Sequence, residues 1–370
     1  MRAYSAWPRR CLTPLGLIGA LLLLAGCAAP ARSPQGAGAA PAPAAPAAPA
    51  SGAASSGPSA AAPAPPPAPL KSRSAYTTIA ASVAPWWAAA EAGYFSEQGL
   101  DVDLIHTDAG APLLAALTNN ELDVVSAGGT SLVLGTLQGV ETPIIGSTAN
   151  YIDSSIFVRP DIQTPEDLRG KTIGVTNLKA ISDTAARLAM KRVGLQPDVD
   201  VFTRRTGGLA ESLAGIETGT LEAASISVPV VFEARKRGYR ELISIAALRI
   251  PFLIGAIGAT RNVLAERPEL GERYLRAIAQ GLSRLKTDRE FAVQVIGQYT
   301  KLEDEELLGM TVDYYRPLWP SDPYPEPDTV QAVLDEEENP AARTARPEDV
   351  SDTRFAEALR RSGFLDTLPK

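Results

Sequence analysis

The residue types that most often do chemistry in proteins are scarce in this chain. Its 370 residues include one histidine, His106, and two cysteines, Cys11 and Cys27, both near the N-terminus. A papain-like site needs Cys with His, and protein zinc sites usually draw several ligands from Cys and His. Neither can be built beyond Cys27, and His106 could serve at most one Ser–His–Asp triad. Carboxylate-based hydrolysis or carboxylate-bound Mg²⁺ remains possible, but we expect no catalytic residue, no metal site and no cofactor.

Small hydroxylated residues and glycines are instead concentrated in loops that follow predicted strands. In an open α/β sheet, ligands bind beyond the carboxyl ends of the strands, where helix N-termini present free N–H groups. The loop 126–131, with the sequence SAGGTS, stands out because its backbone can approach a ligand closely and its hydroxyls can donate to an anion or a carbonyl. The predicted ligand-binding residues are Ser82, Trp86, Trp87, His106, Ser126, Gly128, Gly129, Thr130, Ser131, Thr176, Asn177 and Ser225.

Several of these residues have structural alternatives. Thr130 or Ser131 can cap the N-terminus of the following helix. Trp86 and Trp87 are neighbours at a helix start and point about 100° apart, so they cannot both face one pocket. We expect one tryptophan in the core, while the other lines the cleft or also packs inside. His106 follows a predicted strand, and its alternative role is that of a surface or capping residue.

Two charged groups outside these loops are expected to be solvated. Arg204 and Arg205 could serve a negatively charged ligand, yet an exposed basic pair on an acidic protein is more often simply hydrated. The acidic run 335–338, with the sequence DEEE, is interpreted as a solvated face. Neither group is therefore included in the predicted site.

Helical and strand patterns alternate from residue 75 onward, which predicts an α/β fold. The predicted strands are 76–81, 101–105, 123–126, 171–175, 198–202 and 221–225. The predicted helices include 85–92, 112–117, 131–137, 183–193, 209–217, 268–286 and one opened by Pro229. The helix 268–286 carries an apolar stripe that is expected to be core.

Two stretches match at a constant offset of 99, which indicates an internal repeat. In each, a helix leads through a short turn to an acid-led strand, a serine and a new helix. The matched pairs are Leu117 and Ile216, Asn120 and Gly219, Leu122 and Leu221, Asp123 and Glu222, Ser126 and Ser225, and Gly139 and Gly238. Chance similarity of two generic βα units is the alternative. We prefer two related lobes.

Strand-like segments at 155–158 and 254–259 lie at the joins between these lobes. The chain would leave the first lobe at one of them and return at the other. The predicted organisation is a first lobe of residues 71–158 and 259–370 and a second lobe of residues 159–258.

The N-terminus has the layout of a secretory signal peptide. A basic start is followed by an apolar run from residue 12 to 25, too short for a comfortable transmembrane helix of about 20 residues. Its end, LAGC at 24–27, resembles the bacterial lipoprotein processing box, which predicts a signal peptide of residues 1–26 and lipidation of Cys27. An ordinary signal peptide with a chance cysteine is the alternative. No other apolar stretch in the sequence is long enough to cross a bilayer.

Residues 27–70 read as a lipidated cysteine followed by a tether. Residues 28–69 hold 12 of the 31 prolines among Ala, Gly and Ser, and have almost nothing to bury, so disorder is expected. Cleavage before Cys27 removes three basic residues and changes the formal charge from −7 to −10. An acidic body argues against nucleic-acid binding, which requires Lys and Arg to neutralise phosphates.

The body also resembles a known family. The stretch 84–102, APWWAAAEAGYFSEQGLDV, resembles the opening of the solute-binding proteins of ABC importers, in the branch that includes sulfonate-, taurine-, nitrate- and thiamine-precursor-binding proteins. NELDV at 120–124, TPEDLRGKTIGV at 164–175 and SGF at 362–364 agree with this resemblance. The likeness covers residues 75 to 366. It implies the periplasmic binding protein-like II fold, with two parallel-sheet α/β lobes, two hinge strands and solute bound between the lobes.

The resemblance also implies which segments contact ligand. The loops 82–87 and 126–131 and the segment at Thr176 and Asn177 correspond to ligand-contacting segments of the family. Trp86 and Trp87 are bulky for this position and the three loops lack arginine, which favours an organic solute with an aromatic or carboxylate part over nitrate. Pyrimidine-forming relatives are enzymes that draw on their own His and a Cys cluster, which this chain lacks.

The resulting prediction is a lipid-anchored extracytoplasmic receptor that captures a small organic solute by hinge closure. Its expected partners are the solute and an ABC permease and ATPase, with membrane contact only through the N-terminal lipid, no nucleic acid, and a monomeric state. One alternative is a sensory lipoprotein without a transport role. The other is an enzyme, either pyrimidine-forming or carboxylate-dependent, for which Asp108 and Asp183 form the only acid pair near the cleft.

Overall fold

The structure, a computed structural model, describes residues 68–370. The predictions for the signal peptide, for Cys27 and for nearly all of the tether lie outside these residues. Within the described residues, ten strands form two sheets. The strands are β1 (Leu70–Tyr76), β2 (Leu100–His106), β3 (Val124–Ala127), β4 (Ile144–Tyr151), β5 (Ser154–Val158), β6 (Thr172–Val175), β7 (Phe202–Arg205), β8 (Ala223–Ser227), β9 (Arg240–Ser244) and β10 (Pro251–Ala259).

Fifteen α-helices cover the sheets within the described residues. They are α1 (Ala84–Glu91), α2 (Tyr94–Glu97), α3 (Ala111–Thr118), α4 (Gly129–Leu137), α5 (Ile181–Arg192), α6 (Leu209–Glu217), α7 (Val230–Lys236), α8 (Ile245–Leu248), α9 (Arg261–Glu266), α10 (Pro268–Thr287), α11 (Arg289–Thr300), α12 (Glu305–Tyr315), α13 (Pro327–Glu336), α14 (Pro347–Val350) and α15 (Arg354–Arg361). The α/β prediction is confirmed. No helix in the described part of the chain combines the length and the apolarity that a bilayer span requires.

The two sheets have the same topology. The first has the strand order β2-β1-β3-β10-β4 and the second has the order β7-β6-β8-β5-β9. In each, the three consecutive strands are parallel, and a strand from elsewhere in the chain inserts antiparallel between the third and fourth. Both sheets are therefore mixed rather than wholly parallel as expected. The inserted strand is the one that enters each lobe from the other.

The repeat spacing of 99 residues is also visible in the backbone. β3 begins at Val124 and β8 at Ala223, which are 99 residues apart. The turns that precede these strands contain Asn120 with φ 55° and Gly219 with φ 72°, again 99 residues apart. Both residues occupy the left-handed region that ends a helix before a new strand. The two lobes therefore share one architectural unit.

The chain crosses between the sheets at their carboxyl edges. β4 ends at Tyr151, which pairs with Pro251 at the start of β10. Three residues later β5 begins at Ser154, which pairs with Ser227 at the end of β8. Because β4 runs parallel to β3, and β8 parallel to β6, these ends mark the carboxyl edge of each sheet. The two edges where a ligand is expected therefore face each other across the crossings.

These crossings differ in position from the predicted lobe boundaries. The prediction assigns residues up to 158 to the first lobe, whereas β5 pairs within the second sheet. It also places the return of the chain to the first lobe at residue 259, whereas the whole of β10 already pairs within the first sheet. We therefore propose lobe boundaries at residues 152–153 and 249–250. The difference arises because both strands are nearly continuous in buried residues, so the sequence carries no sign of which sheet accepts them.

One crossing is fixed by tyrosines of α12. The Tyr314 hydroxyl donates to the Asp153 carbonyl at 2.8 Å, and the Tyr315 hydroxyl donates to the Asp153 carboxylate. Burial raises the pKa of the Asp153 carboxyl above its ordinary value. The ring of Tyr314 also lies edge-on to Phe232 of α7, 6.0 Å between centroids. The helical C-terminal region of the first lobe thus holds the connection to the second.

The first lobe has its core between α1 and α10. The predicted apolar stripe of α10 is confirmed as core, because each of its residues has no exposed surface: Leu270, Tyr274, Ile278, Leu282 and Leu285. Trp86 and Trp87 of α1 belong to the same cluster. The close approach of the two helices fixes the start of α1, and with it the loop that precedes α1 at the carboxyl edge.

Candidate functional site

Two cavities lie at the facing edges of the lobes, and each is lined from both lobes. The polar cavity has a volume of about 700 Å³, and the apolar cavity has a volume of about 300 Å³. The polar cavity is lined by Thr130, Ser131, Leu134, Leu178, Lys179, Asp183, Thr184, Arg187, Lys191, Asp198 and the acidic run 335–338. The apolar cavity is lined by Ile79, Ala80, Ala81, Val228, Pro229, Ile296, Thr300, Lys301, Leu302 and Thr311.

The first lobe contributes the N-terminus of α4 to the polar cavity. The helix begins at Gly129, so Thr130 and Ser131 lie in its first turn rather than at the cap, and no side chain caps it. A Cβ on Gly129 would lie 2.5 Å from the carbonyl oxygen of Leu253, whereas a Cβ on Gly128 would have only the Thr130 hydroxyl near it, at 3.5 Å. Glycine at 129 therefore lets α4 approach β10. The Ser131 N–H donates to the Gly128 carbonyl at 3.0 Å, so the N–H groups at the helix start without an intrahelical acceptor are those of Gly129 and Thr130.

The second lobe contributes a loop whose shape is fixed by two side chains of α5. The Thr176 N–H donates to the Ser182 hydroxyl at 3.0 Å, and the Thr176 and Ser182 hydroxyls are 2.8 Å apart. The Lys179 N–H donates to Asp183 at 2.8 Å, with Lys179 at φ 63°. The predicted residue Asn177 is exposed on this loop. The loop is therefore held in place by α5 and presents Lys179 to the cavity.

Asp183 is a structural residue of this loop. Its side chain is almost fully buried, one oxygen accepts from the Lys179 N–H, and the other accepts from the Arg187 Nε at 3.1 Å. Arg187 also binds Asp198, and this hydrogen bond holds the pKa of Asp198 below its ordinary value. Asp108 is exposed in a loop of the first lobe. Both carboxylate oxygens of Asp183 already accept hydrogen bonds. Asp183 is therefore not available as one of the two acids that the enzyme alternative requires.

Two ion pairs join the lobes across the polar cavity. Lys179 Nζ lies 2.5 Å from Glu338, and Lys191 Nζ lies 2.6 Å from Glu336. Both lysines belong to the second lobe, whereas Glu336 ends α13 and Glu338 follows it, and α13 contacts α4 and β10 of the first lobe. The hydrogen bond to Glu338 raises the pKa of Lys179. The acidic run 335–338 is predicted to be a solvated face; the Glu338 side chain, 74% exposed, agrees with that prediction, whereas the Glu336 side chain is only 22% exposed.

We expect these interlobe ion pairs to favour the closed arrangement of the lobes. Exposed ion pairs contribute little individually, because water screens them. The double variant Lys179→Ala/Lys191→Ala should therefore increase amide hydrogen exchange in segments 176–182 and 336–339 by about 2- to 30-fold at low salt. The difference from the unmodified protein should shrink in 1 M NaCl, where the Debye length is about 3 Å.

A matched control for this experiment is Lys71→Ala, which removes an exposed lysine from β1, away from the polar cavity. A second control reverses the charges of the ion pairs. Lys179→Glu/Lys191→Glu should open the lobes, and the further changes Glu336→Lys/Glu338→Lys should restore protection of the amides against hydrogen exchange. Equal exchange in the unmodified protein and the double variant at low salt would contradict a contribution from these pairs.

Trp86 and Trp87 do not face either cavity. Both side chains have 0% exposed surface. The Trp87 ring stacks on Tyr299 with centroids 4.8 Å apart, and the Trp86 ring lies 5.2 Å from Tyr274. The prediction that these two tryptophans contact ligand is therefore corrected. Because α1 packs between α10 and α11, the side chains at both of these consecutive positions point into the core.

The remaining predicted residues lie near the facing edges but outside the cavity linings. The Ser82 carbonyl accepts from Thr148 at 3.3 Å, next to Ala81 of the apolar cavity. His106 is exposed at the end of β2, 5.3 Å from the Tyr76 ring. Ser126 is buried and its carbonyl accepts from the Thr77 N–H. Ser225 is fully buried, and its hydroxyl has no hydrogen-bond partner.

Sequence reasoning missed the apolar cavity and the interlobe lysines. Ile79 was assigned to a strand, whereas it lies in the loop after β1 and its side chain is 52% exposed. Lys179 and Lys191 carry no local signal, because their partners are more than 140 residues away in the sequence. Among the described residues, no cluster of three or more His, Cys, Asp or Glu side chains is arranged to hold a metal ion.

The architecture is that of the periplasmic solute-binding proteins. It matches the periplasmic sulfonate-binding protein SsuA from Methylobacillus flagellatus KT with a TM-score of 0.66, over 82% of this chain and 98% of that chain, at 15% sequence identity. Residues 80–290 match the family described as NMT1/THI5 like, and the chain belongs to this family. The resemblance found in the sequence is thereby confirmed.

Two further similarities concern function. The chain is 24% identical to the riboflavin-binding protein RibY from Chloroflexus aurantiacus over 243 residues, which are 64% of this chain and 69% of RibY. The fold also matches the desulfurization enzyme DszB with a TM-score of 0.59, over 78% of this chain and 99% of DszB, at 14% identity. Most of the structural neighbours are solute-binding proteins, but the fold also occurs in an enzyme.

Proposed function

We propose that this protein is the extracytoplasmic solute-binding component of an ABC importer and holds an organic solute between its lobes. The observation that carries this proposal is the pair of cavities at the facing carboxyl edges, each lined by loops from both lobes. A solute that contacts both lobes stabilises the closed arrangement, and hinge closure is how such a contact becomes a signal to a permease.

The side chains at the cavities support an organic solute over a small inorganic anion. Each cation in the lining of the polar cavity already has a carboxylate partner: Lys179 with Glu338, Arg187 with Asp183 and Asp198, and Lys191 with Glu336. No cationic side chain there is left to neutralise a bare anion. RibY is named as a riboflavin-binding protein and SsuA as a sulfonate-binding protein, and both ligands are organic molecules.

Binding without turnover is part of the proposal. A hydrolytic site needs an acid or base in reach of the ligand. The acids that line the polar cavity are already engaged: Asp183, Asp198, Glu336 and Glu338 pair with lysine or arginine, Asp335 accepts from Gln331, and Glu337 accepts from the Asn339 N–H. His106 is not among the residues of either cavity. The similarity to DszB concerns the fold only. Analysis of any bound solute by mass spectrometry before and after incubation should recover it unchanged.

The membrane link is also a proposal. LAGC at 24–27 supports lipidation of Cys27, and the Ala/Pro-rich segment that follows would let the lobes reach a permease partner. Metabolic labelling with palmitate in a bacterial host should label the unmodified protein and the Cys11→Ala control, whereas Cys27→Ala should remain unlabelled and leave the membrane fraction. Label retained in Cys27→Ala would contradict this anchor.

A thermal-shift panel of sulfonates, carboxylates, aromatic acids, pyrimidines and riboflavin tests solute binding. A compound present at 100 times its Kd should stabilise the fold by about 2.7 kcal/mol. The same compound should leave the midpoint of a Gly129→Val variant almost unshifted, because the enlarged side chain collides with β10 and displaces α4. A panel in which no compound raises the midpoint of the unmodified protein would contradict the proposed function.

A further inference from the structure

The geometry points to a solute that carries an apolar group, an alkyl chain or a single aromatic ring, which fills the apolar cavity at one end of the interlobe cleft. This inference rests on the proposed function and adds the chemical class of the solute. The apolar cavity is formed where three parts of the fold meet: the loop after β1, the start of α7, and the ends of α11 and α12.

The walls of the cavity are mostly hydrocarbon. The first lobe contributes the aliphatic side chains of Ile79, Ile296 and Leu302. The second lobe contributes the side chain of Val228 and the ring of Pro229. Its polar side chains include two threonines whose hydroxyls are already used. Burying a ligand's alkyl or aryl surface here would remove it from water while both threonine hydroxyls keep their hydrogen bonds.

The two threonines direct their hydroxyls into their own helices. Thr300 donates to the Ile296 carbonyl at 2.6 Å, and Thr311 donates to the Leu307 carbonyl at 2.8 Å. The threonines therefore have no free hydroxyl proton with which to recognise a polar ligand group. Lys301 also lines the cavity, but it is an exposed residue, so its ammonium group can remain in water.

Ile79 gives a second and independent observation. Ile79 is 52% exposed in a loop at the facing edges, while Val228, which lines the same cavity, is only 5% exposed. A large aliphatic side chain left in water at the mouth of a cleft gains free energy when an apolar ligand covers it. Ile79 is thus the wall residue that a bound solute would cover.

The size of the cavity limits the group that it can take. A volume of about 300 Å³ is at the lower end of the range for organic ligand pockets. It fits a short alkyl chain or one aromatic ring with small substituents. The polar part of such a solute would lie towards the N-termini of α4 and α5, on the other side of the cleft.

A homologous series of probes tests this inference. Straight-chain 1-alkanesulfonates and 1-alkanecarboxylates of increasing length, with benzenesulfonate and benzoate, are titrated against the full chain by calorimetry. Within the series whose head group binds, affinity should rise about fourfold for each methylene until the cavity is full. The increment should fall to below twofold in Ile79→Ser and remain in Ile79→Leu.

The control variant is Val199→Ser, which removes an exposed aliphatic side chain that lines neither cavity and should leave the increment unchanged. Ile79 is largely exposed, so its substitution should not prevent folding, and the unfolding midpoint of each variant verifies this. Affinity that is independent of chain length, with binding retained, would overturn the apolar subsite and leave the proposed function standing. If no probe of either head group binds at any length, the apolar subsite is overturned, and the proposed function falls only if the thermal-shift panel with pyrimidines and riboflavin fails as well.

Discussion

Trp87→Ala is expected to lower the free energy of unfolding by about 3–5 kcal/mol. The side chain has no exposed surface, stacks on Tyr299 and meets the edge of Tyr76 at 5.8 Å, so its removal leaves a large cavity between α1 and α11. Urea denaturation should show a lower midpoint with a similar slope. The exposed ring of Phe202 offers the matched control, because Phe202→Ala should change the free energy of unfolding by less than about 1 kcal/mol.

The same variant separates a core role from a ligand role for Trp87. At a temperature where Trp87→Ala is still folded, its affinity for a panel compound should be close to that of the unmodified protein. If the variant keeps its stability but loses binding, Trp87 is a ligand contact, and its burial in this structure does not represent the solute-bound state.

Gly129→Val is expected to lower the free energy of unfolding by about 1–3 kcal/mol and to abolish solute binding. Its Cβ would lie 2.5 Å from the Leu253 carbonyl oxygen, so α4 must move away from β10 and carry Thr130 and Ser131 with it. The adjacent variant Gly128→Ala adds a methyl group where only the Thr130 hydroxyl is near, at φ −62°. Its free energy of unfolding should change by less than about 1 kcal/mol, since alanine is only a poorer N-cap than glycine.

Calorimetry with a compound from the panel completes this pair of variants. Gly128→Ala should retain binding within about tenfold, because its side chain does not disturb the position of α4. Equal stability and equal affinity in the two glycine variants would show that the close approach of α4 to β10 is not needed for the site.

The lobe architecture could be predicted from the sequence because its signals are local. The offset of 99 between matching βα units appears in the structure as two sheets of identical topology, and the stripe on α10 is core. β1 was placed six residues too late for a local reason. Its inward residues Ser72 and Ser74 are buried but polar and lie 3.1 Å apart through their hydroxyls, so the alternation of the strand is not hydrophobic.

The site could be predicted only by position along the chain. The loops that contain Thr130, Ser131 and Thr176 do lie at the facing edges, as the rule for carboxyl ends of strands requires. The burial of Trp86 and Trp87 depends on α10 and α11, which are nearly 200 residues away in the sequence. The apolar cavity and the interlobe ion pairs likewise join distant segments, and a single sequence contains no record of such contacts.

The structure of the full chain bound to the panel compound with the largest thermal shift tests the central claim most directly. We expect that compound between the lobes, in contact at the same time with the first-lobe loop 126–131 and with the second-lobe segment 176–180. A compound bound to the outer surface of one lobe, with the facing edges unoccupied, would contradict the account.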